Sequence, residues 1–514
     1  MPRHQEPRTK DFRTLILLIG MGCMIPCYLF TAINVLFSPW PLYNRNRAVL
    51  CLLAGLCLLA LFAAFRTVNR FKAFFFEHEK RMLIAFAVFY FVVQLLMGYA
   101  LRFVPKTDAE QCFTAAQLLV DTGTYGDNFR SWNYFTRYPF NLGIVYLLAG
   151  IFRFFGMLGL TDRLMQAVLV NSVFFTLGLI ASARMVRRIG GVLAQTRYLI
   201  LVACCLPMLY CTTEVYTDSF SLAFPSLILY CATRIHDAGQ VRENKPLTYP
   251  QHSAFLWIIL FALFTFIGSQ IRFTSIIASI AAIIWLLFAR RAGRAVCAAA
   301  ALAAIMVAGG ALVDAENAKH IAPADMDARA FSPLHHIAMG LPVQADEGYG
   351  QYGDGGWYIF STSFEDPEER NAALLSEIID RVYYLRYPNR LLHMLSRKNL
   401  STFGDGTFLL NEIIEADDYT PDNPVKQVIF AQGALYPAYY HLCTAMFIAQ
   451  MLLSCAACMQ AIRRRDTQGG AIFIALVGAF ILLSIWETRG RYFFQFEMLM
   501  LCAAALFSPC RKTA

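Results

Sequence analysis

The stretch NLGIVYLLAGIFRFFGMLGL, Asn141 to Leu160, decides how this chain is folded, because counting it as a membrane crossing reverses the side of everything that follows. Around it, the 514 residues are 58% hydrophobic and 15% charged, and several other runs exceed the length of about eighteen apolar residues that a bilayer requires and a soluble core does not. The pattern predicts an all-α polytopic membrane protein. Twelve further runs read as spans: 14–36, 48–65, 82–101, 164–183, 196–213, 219–234, 254–270, 273–289, 295–313, 436–456, 470–486 and 493–508. The first is too long for the apolar core of a signal peptide and shows no small-residue cleavage site, so it is expected to stay in the mature protein.

The distribution of basic residues settles the reading of 141–160. Placing the amino terminus inside, with Arg3, Arg8, Lys10 and Arg13, puts Arg66, Arg70, Lys72, Lys80 and Arg81 in the next inside loop, and KTDAEQ (from Lys106) emerges outside. If 141–160 does not cross, Arg184, Arg187 and Arg188 fall inside, followed by Arg234, Arg242 and Lys245, then Arg290, Arg291 and Arg294, then Arg463 to Arg465, then Arg511 and Lys512. A crossing would put all of them outside. The stretch therefore reads as an interfacial or re-entrant helix, with Pro139 near its start and Arg153 interrupting its apolar face. Two large extracytoplasmic segments result, 102–163 and 314–435. The chain divides into a transmembrane core over 1–313, the extracytoplasmic segment 314–435, and carboxy-terminal spans over 436–514. A multi-pass protein of the cell membrane with both termini cytoplasmic is expected.

The formal net charge of +9 follows from these short basic loops, so nucleic acid is not an expected partner. The fifteen cysteines lie mostly inside apolar runs with no framework of spaced pairs, and no metal is assigned to them. No internal repeat stands out. GYGQYGDGG (348–356) lacks the GK[ST] ending of a phosphate-binding loop and reads as a loop.

The informative residues are those that resist the topology rule. Arg272 in GSQIRFTS, and Arg489 and Arg491 in WETRGRYFF, are cations at outer mouths of spans, where guanidinium groups suit a phosphate. The competing reading is a snorkelling arginine paired with Glu487. Asp108 and Glu110 open the first outside segment, and Glu214 and Asp218 lie in the short outside loop TTEVYTD. Each alone can be a helix cap. Together with the arginines they suggest an outside cavity for a lipid phosphate and a base. His335 and His336 are adjacent and lack neighbouring ligands, so they read as structural or sugar-contacting rather than metal-binding.

The order of these features (an outside Asp108, RYPFNLGIVYLLAGIFRFFG, an inside RRIGG turn, a proline-containing span, then TD outside) resembles the GT-C superfamily of integral-membrane glycosyltransferases, near the protein-mannosyltransferase and aminoarabinose-transferase branch. HHIAMGL, GYGQYGDGG, KNLSTFGDGTF and WETRGRYFFQFEML are similar to a bacterial group within it. The resemblance covers about Leu83 to Phe507. It implies a polyprenyl-phosphate-linked sugar donor, inverting transfer on the outer face, and a cell-envelope glycan, lipid or protein as acceptor, with membrane lipids around the bundle. It implies that Asp108 is the base that activates the acceptor. Related members often have Asp and Glu adjacent, whereas Ala109 intervenes here and leaves the role of Glu110 open. Arg137, Tyr138, Asp218, Arg272, His336, Lys398, Asp405, Glu487, Arg489 and Arg491 are the matching candidates for substrate contacts. No cofactor is expected, although Asp218 with Asp108 leaves room for a divalent metal, as in the oligosaccharyltransferase branch. The rival from another class is a transporter or lipid-linked-oligosaccharide flippase, against which no matching pair of interrupted spans appears in two halves. A third reading, a non-catalytic scaffold, requires Asp108 to be only a cap.

Overall fold

The computed structural model of the protein describes residues 12–40, 46–125, 134–238, 252–343, 348–410, 420 and 423–509, and these contain helices and no β-strand. The principal helices are α1 (Phe12–Gly22), α2 (Met24–Phe37), α3 (Arg47–Arg70), α4 (Lys72–Leu101), α5 (Thr107–Asp121), α6 (Leu142–Met157), α7 (Arg163–Gly190), α8 (Val192–Cys204), α9 (Phe224–Asp237), α10 (His252–Ile271), α11 (Ile276–Phe288), α12 (Ala292–Asn317), α13 (Pro333–Gly340), α14 (Pro367–Leu385), α15 (Pro388–Phe403), α16 (Tyr436–Arg464), α17 (Gly470–Ile485) and α18 (Glu497–Ala505).

Among the described residues, eight helices are long and apolar enough to cross a membrane: Phe12–Phe37, Arg47–Arg70, Lys72–Leu101, Pro139–Met157, Arg163–Gly190, Ala254–Ile271, Ala292–Asn317 and Tyr436–Arg464. Seven of these coincide with expected spans, and the eighth contains α6. The other five expected spans form shorter or broken helices. The 13 residues of α8 reach only about 20 Å, short of a hydrocarbon core of roughly 30 Å. Its helix stops before Pro207, whose ring cannot continue the hydrogen-bond ladder, and the chain passes through short turns to Thr217–Ser221 before α9 begins with Pro225 in its first turn. The last expected span is broken likewise, into Gly490–Phe494 and α18.

Broken backbone at membrane depth must find its hydrogen bonds elsewhere. Two long helices supply them. Gln94 on α4 donates to Met208 O at 2.6 Å and accepts from Thr212 N at 3.2 Å and Thr212 Oγ1 at 2.6 Å. Asn171 on α7 donates to Thr212 O at 3.2 Å and Ser219 Oγ at 2.8 Å. Both amides are fully buried.

α16 is the central helix, with 72% of its apolar window buried, and it packs against α2, α3 and α18; α12, at 6%, is peripheral. Lipid tails are as apolar as leucine, so close packing rather than water exclusion must hold such helices together. At Gly143 on α6 an added Cβ would lie 1.8 Å from Gln270 O, so the two backbones nearly touch where α6 meets α10.

α5 and α6 pack side by side in the same direction. Tyr134, just before α6, bonds the Asp108 side chain near the start of α5. At the other end, Arg153 donates to Leu119 O at 3.2 Å, and Arg163 forms two hydrogen bonds with Asp121 at 2.5 and 2.8 Å. Asp162 caps α7 through Met165 N and pairs with Arg102, the residue that ends α4, at 2.8 Å. The far end of α6 thus returns to the end of α4 from which α5 departs.

Candidate functional site

The two broken segments meet beside the start of α5. Thr107, exposed and β-branched, is held at φ 54°, a left-handed conformation that is costly for such a residue. It turns the chain so that the next residue, Asp108, projects toward Tyr134. The Tyr134 hydroxyl donates to the Asp108 carboxylate and accepts from Asn141 Nδ2 at 2.8 Å. Burial raises the Asp108 carboxyl above its ordinary value, and the nearby negative charges of Glu487 and Asp218 add to this. Arg491 and the Tyr134 hydroxyl pull the other way, and the balance is upward. Glu110 is exposed; residues two apart on a helix point to different sides, so it does not share this environment.

Asp218, in Thr217–Ser221, is completely buried and faces two guanidiniums. Arg272 Nη1 donates to its Oδ1, and Arg491 Nε lies 3.4 Å from its Oδ2. Both guanidiniums lie over the Tyr492 ring, at 4.6 and 5.6 Å from its centroid. Gln495 fixes their spacing, donating to Ser275 Oγ at 2.5 Å and accepting from Thr274 Oγ1. Two arginines thus share the Asp218 carboxylate, and Arg491 also acts on Asp108 and Glu487.

Glu487 forms the third corner. Its Oε1 accepts from Tyr492 at 2.8 Å and its Oε2 lies 3.2 Å from His336 Nδ1. Burial works to raise this carboxyl, but His336, the Tyr492 hydroxyl and Arg491 outweigh it and hold it below its ordinary value. His336 stacks on Trp486 at 5.0 Å and meets the edge of Phe140 at 5.8 Å. α13 approaches Trp486 so closely that a Cβ on Gly340 would fall 2.4 Å from Ile485 O.

Several sequence candidates stand behind or beside this cluster. Lys398 is fully buried and donates to Gly340 O and, at 2.6 Å, to Trp486 O, with burial lowering its amine to about 7. Arg489 turns away to Gln351 Oε1 at 2.6 Å, and Gln351 donates to Ser401 Oγ at 2.7 Å. Arg137 lies over Tyr358, 5.2 Å from its centroid, and Tyr138 packs edge-on against Phe331 at 5.4 Å. Asp405 belongs to another neighbourhood: it caps its own turn through Thr407 N at 2.7 Å and acts on Tyr210, Tyr436 and Cys443. His335 donates or accepts at Ser361 Oγ, 2.7 Å away, and stacks on Phe331, with burial lowering it to about 3, so it is neutral and structural.

The reading of single residues did not single out Tyr134, Trp486 or Tyr492, although the last two lie inside the quoted motif WETRGRYFF. Their signal was the aromatic density around isolated charges. Among the described residues, no group of three or more His, Cys, Asp or Glu side chains could hold a metal. The pair Asp108 and Asp218 is also poorly suited to one, since both Asp218 oxygens already face guanidiniums.

A family model described as conserved hypothetical integral membrane protein matches residues 45–511. The chain belongs to that family. Its matched region contains α3 to α18 and every residue of the cluster. No curated protein matches the chain. Among solved structures, the chain is similar to the crystal structure of ArnT from Cupriavidus metallidurans bound to undecaprenyl phosphate, at 14% identity over 83% of this chain and 78% of that one, with a TM-score of 0.34. A likeness that distant carries no argument about this family member's site.

Proposed function

We propose that the protein is a membrane glycosyltransferase of the GT-C type, which moves a sugar from a polyprenyl-phosphate donor to an acceptor of the cell envelope outside the cytoplasmic membrane. The observation that carries this reading is the juxtaposition of Asp108, a carboxyl raised by burial, with two arginines that share a single aspartate. Asp108 takes the proton of an acceptor hydroxyl as its oxygen bonds to the anomeric carbon. The bond from that carbon to the phosphate oxygen breaks, and the electron pair leaves with the polyprenyl phosphate. A base with a raised pKa is better matched to an acceptor proton, and the guanidiniums of Arg272 and Arg491 stabilise charge building on the leaving oxygen. Arg272, Arg491, Glu487 and His336 line the donor side; Asp218 holds the two guanidiniums in place. The motif order described above supports the same reading.

Asp108→Asn tests it. A general base contributes about 10²- to 10⁴-fold, so transfer from a polyprenyl-phosphate sugar by the purified variant should fall by at least that lower figure, with thermal stability kept. Envelope glycans of a strain carrying only this variant should lose the same component that is missing when the protein is absent. Unchanged glycan mass spectra in that strain would refute the enzyme reading. If instead the lipid-linked donor accumulates on the inner leaflet, the protein is a transporter.

A further inference from the structure

The geometry points to a second site, for the headgroup of an anionic glycerophospholipid, in the groove between the end of α6 and the start of α7. The groove has a volume of about 720 Å³ and is lined by Phe152, Arg153, Met157, Leu160, Arg163 and Gln166, among others. It lies at the far end of α5 from Asp108: Val120 forms part of its wall, twelve residues or roughly 18 Å along the helix from that carboxyl. It is therefore distinct from the site proposed for sugar transfer, and its assignment stands without that proposal.

Three observations define what fits there. The first is charge. Arg163 is held in its bidentate pair with Asp121, and Arg102 pairs with Asp162, but Arg153 has no acidic partner among the described residues; it gives one hydrogen bond, to Leu119 O. One guanidinium thus presents unbalanced positive charge and further donors to the groove, as a phosphate requires. The second is an unmet acceptor. Gln166 is 4% exposed; its Nε2 donates to Leu160 O at 2.9 Å, whereas its Oε1 is buried with no hydrogen-bond partner. A buried acceptor left unpaired costs about 1–3 kcal/mol, and a ligand hydroxyl or ammonium would remove that cost. The third is position. Phe154, Met157, Leu158 and Leu160 are 54%, 78%, 62% and 52% exposed around the rim, next to the end of the long apolar α4. Four large apolar side chains flanking a guanidinium mark the level where hydrocarbon gives way to headgroups. An amphiphile meets all three demands: its phosphate on Arg153, its glycerol hydroxyl or other donor on Gln166, and its acyl chains against Met157 and Leu160.

The test titrates purified, delipidated full-length protein in detergent with palmitoyl-oleoyl phosphatidylglycerol or phosphatidylcholine and counts bound lipids by native mass spectrometry. Phosphatidylglycerol should bind at concentrations where phosphatidylcholine does not. Arg153→Gln should weaken it roughly tenfold, about the worth of one charge-assisted hydrogen bond, while Arg153→Lys keeps most of the affinity. Gln166→Leu should weaken it as well, and it decides the matter alone if Arg153→Gln fails to fold. Equal binding of the two lipids, or phosphatidylglycerol binding untouched by the folded variants, would overturn the assignment.

Discussion

Asp108 sits in a balance that can be shifted one partner at a time. Burial, Glu487 and Asp218 raise its carboxyl; Arg491 and Tyr134 lower it. A base works only when deprotonated, so activity should be lost as pH falls through this raised value, at a higher pH than an ordinary aspartate would give. Tyr134→Phe removes a hydrogen bond to the charged form, and the acidic limb of the pH–rate profile should move further up in pH while the neutral-pH rate changes little. A profile that does not move would separate Tyr134 from the base. Lys398 offers a second titration, read in stability. Its amine is lowered to about 7 in the folded protein, below the ordinary 10.5 it regains on unfolding. Below about pH 7 both states are protonated and the cost of the buried charge is paid in full. Between about 7 and 10.5 the unfolded state binds more protons, so stability should rise with pH across that window. Melting temperatures of Lys398→Met in detergent should lack this rise, and they should lie below wild type at alkaline pH because the ties to Gly340 O and Trp486 O are gone.

The site is assembled by elements whose contacts leave little room. α6 touches α10 at Gly143 against Gln270 O, two residues before Arg272. Gly143→Ala must push the helices apart, at a cost typical of overpacking, about 1–3 kcal/mol, and it should carry Arg272 away from Asp218. The expected result is a lower melting temperature together with a loss of transfer. Gly150→Ala on the same helix meets nothing within 4 Å and should keep transfer while holding or slightly raising the melting temperature, which separates helix propensity from displacement. At this scale the limits of sequence reading also become physical. Hydropathy identifies 196–213 and 493–508 as apolar but is blind to where the helix breaks, because the breaks depend on partners far away in sequence: Gln94 and Asn171 for one, Ser275 and Thr274 for the other. Asp108, Asp218, Arg272, Glu487 and Arg491 could be singled out because isolated charges in apolar surroundings are conspicuous. That Arg489 would turn to Gln351 while Arg491, two residues on, turns to Asp218 depends on an extended segment leading into a short helix, which charge pattern alone does not reveal.

For the whole molecule, the side of the membrane on which everything lies turns on α6. By length and apolarity it belongs with the helices able to cross, whereas the count of basic loops requires that it stay on one side. Its contacts favour the second. Its beginning is tied through Tyr134 and Asn141 to Asp108, seven residues after α4 ends, and its end is tied through Asp162 to Arg102. A perpendicular crossing would carry Asp162 about 24 Å, the length of a 16-residue helix, from the level of Asn141. An intact-cell labelling experiment resolves the matter. In a background without the native cysteines, Leu158→Cys, Ser376→Cys and Gln468→Cys place single thiols at the α6 end, on α14, and in the turn before α17. A membrane-impermeant maleimide should label the first two in intact cells and the third only after permeabilisation. If instead the thiols at 158 and 376 label only after permeabilisation and the one at 468 labels in intact cells, α6 crosses and the basic loops that follow it face outward.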